Sequence, residues 1–92
     1  MIVRIMGEGQ FKVPSSLLDE LNVIDNRIVG HVAKRNERDF KKELGNLIAS
    51  IKENGTTLDD AEIVESDIIV PPADLSLEEA AGIFSGEGLI QD

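Results

Sequence analysis

The fold of this chain is decided by residues 17–55, which read LLDELNVIDNRIVGHVAKRNERDFKKELGNLIASIKENG. Apolar side chains recur there every three or four residues, in two sets separated by a polar stretch at 34–39. That spacing is typical of the buried stripe of an amphipathic helix. The first stripe consists of Leu17, Leu21, Ile24, Ile28 and Val32, and the second of Phe40, Leu44, Leu47, Ile48 and Ile51. So short a polar break predicts two antiparallel helices that pack as a helical hairpin.

The segments on either side of this hairpin have the pattern of β-strands. Residues 2–6 and 10–13 are predicted to be strands, joined through the glycine-rich turn at 7–9 into a β-hairpin. A third strand is predicted at 68–70, where two prolines end it. The order of elements predicts an α+β fold in a single domain, residues 1–92. A small sheet, made of the N-terminal β-hairpin and the later strand, packs on the antiparallel helical hairpin and a short C-terminal helix.

Capping signals mark the ends of the two long helices. Ser15 or Ser16 is expected to cap the first helix, which runs to about Arg35. Asn36 is expected to cap the second helix, because its side chain can accept a hydrogen bond from the backbone three residues on. Gly55 follows the last apolar residue of the second stripe and is predicted to end that helix.

The last third of the chain is predicted in less detail. Residues 56–62 are expected to form a polar loop, followed by a brief strand at 63–64. Ser76 and Glu79 have the spacing of a capping box at the start of the third helix. One face of that helix is predicted to be lined by Leu77, Ala80, Ala81 and Phe84. Residues 89–90 are expected either to add an edge strand or to pack loosely.

The charge of the chain is unevenly distributed. The net charge is −9, yet residues 1–55 hold nine bases and eight acids, whereas residues 56–92 hold ten acids and no base. An acidic chain repels nucleic acid phosphates and anionic lipid headgroups, so we expect no nucleic acid partner and no direct membrane insertion. The absence of cysteine excludes disulfides and thiol catalysis, and is compatible with a cytoplasmic location.

Several residues were considered as sites of catalysis or ligand binding. The turn at 7–9 joins two strands, which favours a hairpin over a phosphate loop. His31 has no partner for acid–base chemistry that the sequence indicates, and the serines at 15, 16 and 76 are interpreted as helix caps. A divalent cation could be held by acids from one segment, Asp59, Asp60, Glu62, Glu65 and Asp67, although their spacing is not that of a calcium loop. We therefore expect no enzyme activity, no metal and no cofactor.

A basic cluster at the end of the helical hairpin is the remaining candidate site. It consists of Lys34, Arg35, Arg38, Lys41 and Lys42. Arg38 falls in the first turn of the second helix, where the helix dipole disfavours a cation. We interpret the cluster as a surface that steers an acidic helical partner, with Val23, which lies off the apolar stripe of its helix, adding contact area. The alternatives are that these cations form only a solvated face, or that they only neutralise the acidic segment of the same chain.

The sequence resembles the PspA-associated domain family, PspAA, over nearly its whole length. The resemblance is carried by MIVRIMGEGQF at 1–11, PSSLLDELNVIDN at 14–26, ENGTTLDD at 53–60, SDIIVPPADLSLEEA at 66–80 and EGLI at 87–90. It implies an accessory role beside phage shock protein A, a coiled-coil protein that supports the membrane under envelope stress. It implies no reaction and no catalytic residues.

Three functions are therefore compared. The first is a non-enzymatic adaptor or regulator that binds a phage shock protein A type partner, and is recruited to the membrane through it. The second is a small metal-dependent hydrolase that uses the acids at 59–67, for which micromolar divalent metal would raise the melting temperature. The third is a dimeric ligand-sensing domain, for which a pocket with convergent polar groups is expected. A homodimer stays open in each case.

Overall fold

The computed structural model describes residues 1–59, 64–84 and 88–90. Its three helices are α1 at Leu18–Ala33, α2 at Glu37–Asn54 and α3 at Leu77–Ile83. Its strands are β1 at Ile2–Ile5, β2 at Gly9–Lys12, β3 at Thr56–Thr57 and β4 at Ile68–Val70. Across these described ranges the strands form one sheet in the order β3-β2-β1-β4, with β1 and β4 parallel and the other pairs antiparallel. The predicted α+β fold is confirmed.

The N-terminal β-hairpin turns where the glycines predict it. Ile5 and Gly9 are register partners at the end of the β1–β2 ladder, and the Glu8 backbone N–H donates to the Ile5 carbonyl. Gly7 and Gly9 have φ values of 87° and 111°, which a side chain would strain. The hairpin interpretation of residues 7–9 is therefore confirmed.

The sheet is apolar on one face only. Its buried face is formed by Val3, Ile5, Phe11, Ile68 and Val70, which join the helical stripes in one aliphatic core. Its other face carries the alternate residues of the strands, among them the exposed Arg4, Lys12 and Ile69. Alternation of this kind is expected when helices cover a single face of a sheet.

The helical hairpin packs through the two predicted stripes. All ten stripe residues are buried, and Leu21, Ile28, Leu44 and Ile51 are each at most 1 % exposed. Gly55 ends α2 in extended backbone, so it is needed for space and not for a left-handed turn. A Cβ atom there would lie 2.6 Å from the Ile51 carbonyl oxygen and 2.8 Å from Val13 Cγ1.

The predicted start of the first helix is wrong in detail. Residues 15–17 form a single 3₁₀ turn after the extended Pro14, and α1 begins at Leu18 without a side-chain cap. Ser15 and Ser16 are exposed and cap neither segment. At the other end α1 runs to Ala33, with Lys34 as its C-cap, close to the predicted end at about Arg35.

The sequence predicts a loop directly after α2, but part of this segment is a strand. Thr56 and Thr57 form β3, which pairs with Lys12 and Phe11 of β2. The chain then reaches β4 at the opposite edge of the sheet. Gln10 supports this crossing, since its side-chain amide donates to the Val64 carbonyl at 3.0 Å and to Ser66 Oγ at 2.8 Å. Of the predicted brief strand, residue 63 lies outside the described residues and Val64 is not in a strand.

The third helix follows its predicted cap closely. Ser76 Oγ accepts a hydrogen bond from the Glu79 backbone N–H at 3.1 Å, and the Glu79 carboxylate accepts one from Ser76, which completes the capping box. Ala80 and Phe84 are buried on the predicted face, whereas Ala81 is exposed. Leu77, Ala81 and Phe84 nevertheless line the same side of the helix, as predicted.

Candidate functional site

The loop between α1 and α2 contains three residues, and hydrogen bonds to the last turn of α1 hold it. The Lys34 N–H donates to the Gly30 carbonyl and the Asn36 N–H to the His31 carbonyl. Asn36 then caps α2 as predicted, because its side chain accepts a hydrogen bond from the Asp39 N–H at 3.3 Å. Arg35, between them, has a φ of +56°, which places a non-glycine residue in the left-handed region.

This loop and the first turns of α2 carry the predicted basic cluster, here called the basic tip: Lys34, Arg35, Arg38, Lys41 and Lys42. All five side chains are exposed. Residues 34–42 hold these five bases and two acids, a net charge of +3 on a chain of net charge −9. Lys41 lies 3.9 Å from Glu37, and the structure gives the other four no ion pair with the residues that it describes.

Val23 lies away from the basic tip. It is 50 % exposed on α1, as its position off the apolar stripe predicts. It precedes Lys34 by eleven residues, which corresponds to about 16 Å along the axis of the helix. The structure therefore brings the five cations together and leaves Val23 separate from them.

A groove between α1 and α3 supplies the apolar surface that lies beside the tip. It has a volume of about 370 Å³, and Arg35 is one of its lining residues. The apolar lining of this α1–α3 groove is Val29, Val32, Ala33, Leu77, Ala81 and Phe84. Phe84 also holds α3 against the start of α2, through an edge-to-face contact with Phe40 at 6.1 Å between ring centroids.

The α1–α3 groove was not predicted from the sequence, although one signal for it is present. Val29 and Ala33 are four residues apart on α1 and lie outside its buried stripe, so they form a second, weaker apolar row. The groove forms because α3 packs beside that row. The local sequence pattern does not predict where α3 packs.

Asp25 is a buried acid that the sequence analysis also missed. Its side chain is fully buried on α1, and its two carboxylate oxygens accept hydrogen bonds from the backbone N–H groups of Leu89 at 3.0 Å and Ile90 at 2.9 Å. Residues 89–90 are therefore neither an edge strand nor loosely packed. Gly88, with a φ of +78°, leaves room for this contact, since a Cβ atom there would lie 2.7 Å from Asp25 Oδ2.

The acids considered for a metal site are not assembled in the described part of the chain. Asp59, Glu65 and Asp67 are exposed, while Asp60 and Glu62 lie outside the described residues. Asp67 Oδ2 accepts a hydrogen bond from the Ile2 backbone N–H at 2.7 Å, which joins the start of β4 to β1. No group of three His, Asp or Glu side chains in ranges 1–59, 64–84 and 88–90 could hold a metal ion.

His31 is half-buried in the last turn of α1. Within the described residues, the structure gives its ring no hydrogen-bond partner that would support acid–base chemistry.

No helix in the described part of the chain is long and apolar enough to cross a bilayer.

Together, the fold and these surfaces define a small α+β module with a basic tip beside an apolar groove. The chain belongs to the PspA-Associated protein family, whose sequence profile matches residues 1–92. The resemblance noted from the sequence segments is thereby confirmed. No curated protein and no solved structure gives a significant match to the chain.

Proposed function

We propose that this chain is a non-enzymatic, cytoplasmic adaptor that binds a phage shock protein A type coiled coil in the envelope stress response. The proposal is supported by the family to which the chain belongs, which is described by its association with PspA. In this proposal the chain reaches the membrane only through its partner. Binding requires no metal, no cofactor and no chemical step.

The backbone conformation of Arg35 is the observation that most supports the basic tip as the binding surface. Arg35 has a φ of +56° in the loop that ends α1, where glycine is the usual residue because it has no Cβ atom to strain. A left-handed conformation costs a side chain of this kind roughly 1–2 kcal/mol. A strained backbone at an exposed cation beside a groove supports a role in recognition.

The basic tip and the α1–α3 groove would have different tasks in binding. Complementary charge mainly increases the rate of encounter and sets orientation, whereas a buried apolar centre supplies most of the affinity. The exposed cations would attract an acidic stretch of a helical partner. The apolar lining around Val29, Leu77 and Ala81 would then receive apolar side chains from the same face of that helix.

Charge reversal at the tip tests this proposal. Association with a phage shock protein A type coiled coil would be followed by stopped flow at low and high salt, with Arg38→Glu and Lys42→Glu combined. Electrostatic steering predicts association slower by about tenfold or more at low salt, together with a weaker dependence on salt. The effect should be small at high salt because screening reduces it.

A matched control uses the other exposed face of the molecule. Arg4→Glu combined with Lys12→Glu changes the net charge equally on the exposed face of the sheet, and should slow association much less. Equal slowing by the two double variants would show that only the total charge matters and would remove the tip from the proposal. Absence of any binding by the unaltered chain would refute the adaptor function itself.

A further inference from the structure

A second apolar surface lies at the end of β4. The described residues expose six large apolar side chains, and three of them line one groove: Met6 at 48 %, Ile69 at 55 % and Ile83 at 42 %. Pro71, Pro72 and Leu75 complete the lining of this β4 groove, which has a volume of about 520 Å³. Exposed apolar groups gathered in this way mark an interaction surface more often than scattered ones do.

The fold explains why these side chains face solvent. Ile69 points away from the core because its strand neighbours Ile68 and Val70 are buried in it. Ile83 is the last residue of α3 and lies at the edge of the face that buries Ala80 and Phe84. Strand alternation therefore excludes Met6 and Ile69 from the core, so packing within the chain does not account for their apolar character.

Charge around the β4 groove identifies the kind of partner. Asp74 directly precedes Leu75, and Glu79 lies one helical turn before Ile83; both acids are exposed. Arg4, the register partner of Ile69, is a cation on the adjoining part of the sheet face. All the lining residues except Met6 belong to residues 56–92, which hold ten acids and no base. We infer that the β4 groove binds the apolar face of a basic amphipathic helix from a partner protein.

Other occupants fit these observations less well. An extended peptide would need to continue the hydrogen bonding of β4, but Pro71 and Pro72 follow the strand and have no N–H to donate. A second copy of the chain would bring together two segments that each contain ten acids and no base between residues 56 and 92. An anionic lipid surface is repelled by the same acids.

This inference does not depend on the partner proposed for the basic tip. The β4 groove and the α1–α3 groove are lined by different residues, and α3 contributes to both. An adaptor with two such surfaces could hold an acidic helix at one and a basic helix at the other.

The test uses the full chain and two synthetic amphipathic peptides. Both have the same leucine stripe, and the polar face consists of lysine in one and glutamate in the other. Binding would be measured by calorimetry, and contacts would be located by amide chemical shifts. The lysine peptide is expected to bind with shifts centred on Met6, Ile69 and Ile83, while the glutamate peptide binds at least about tenfold more weakly.

Substitutions by a neutral polar residue separate the groove from general attraction between charges. Ile69→Gln and Ile83→Gln should each weaken binding of the lysine peptide by about tenfold, as for a central apolar anchor. Val23→Gln, at a similarly exposed residue on α1, should leave it unchanged. Melting curves of each variant establish that the fold is retained.

Three results would overturn the inference. The first is equal binding of the two peptides, and the second is equal binding by the Ile69→Gln and Val23→Gln variants. The third is evidence for a different occupant of the groove. This would be self-association of the chain, measured by sedimentation, or binding of the chain to anionic vesicles, if the Ile83→Gln variant abolished it. Because none of these measurements involves a phage shock protein, their failure is distinct from failure of the adaptor proposal.

Discussion

The carboxylate of Asp25 connects two parts of the chain that are far apart in sequence. It lies on α1, and the two N–H groups that it binds belong to Leu89 and Ile90, more than 60 residues later. A buried charge is stable only when hydrogen bonds replace its lost water, and here each oxygen receives one from the backbone. The hydrogen bonds fix Ile90 in the core at 8 % exposure.

Replacing Asp25 by asparagine tests this role. The amide keeps one acceptor oxygen but turns an NH₂ group toward the second backbone N–H, so one buried donor loses its partner. The free energy of unfolding in urea should fall by about 1–3 kcal/mol. Amide hydrogen exchange of Leu89 and Ile90 should become faster than in the unaltered chain, and by a larger factor than exchange in the α2 core.

The control for this variant is Glu65→Gln, which removes the same charge from an exposed residue. It should change the free energy of unfolding by less than about 0.5 kcal/mol. If exchange at Leu89 and Ile90 were unchanged in the Asp25 variant, the C-terminal residues would be held by packing alone and the carboxylate would have no anchoring role.

The position of Asp25 contained a signal that could have been used. It falls four residues after Leu21 and three before Ile28, so an acid occupies the apolar stripe of α1. Such a residue predicts a buried polar contact. Its partners were not predictable, because they are backbone groups of a segment that has no periodic pattern of its own. Arg35 is similar, since its left-handed backbone follows from the reversal of the chain between two helices and not from its side chain.

Among the elements, the helical hairpin depends most directly on apolar spacing. Leu44 is fully buried at the centre of the α2 stripe. Its replacement by alanine should lower the free energy of unfolding by on the order of 2–5 kcal/mol, because it removes buried apolar area and leaves a cavity. Val23→Ala, on the exposed side of α1, should change it by less than about 1 kcal/mol. A loss below that value at Leu44 would contradict the tightly packed core described above.

The elements that the sequence predicted well are those defined by local pattern. Both stripes, the β-hairpin turn, the Asn36 cap and the capping box at Ser76 each depend on residues within one or two turns of each other. Strand β3 was missed because Thr56 and Thr57 have no apolar alternation, and their pairing depends on the edge of β2 more than 40 residues earlier. The serine caps failed because the chain inserts a 3₁₀ turn after Pro14, which moves the start of α1 beyond them.

For the molecule as a whole, the distribution of charge is the property on which both proposals depend. Residues 56–92 contain ten acids and no base, whereas the basic tip contains five cations. The sequence predicted this contrast from composition alone. It did not predict that an apolar groove lies beside each surface, because both grooves arise where α3 packs against other elements.

The most direct test of the central claim, that the basic tip is a binding surface, is the Arg35→Gly variant measured for both stability and binding. Glycine relieves the left-handed strain, so the free energy of unfolding should rise by about 1 kcal/mol. Loss of the cation should slow association with a phage shock protein A type coiled coil by a few fold at low salt. A variant that is more stable and binds more slowly supports a functional arginine. A variant that is more stable and associates at an unchanged rate would contradict the claim.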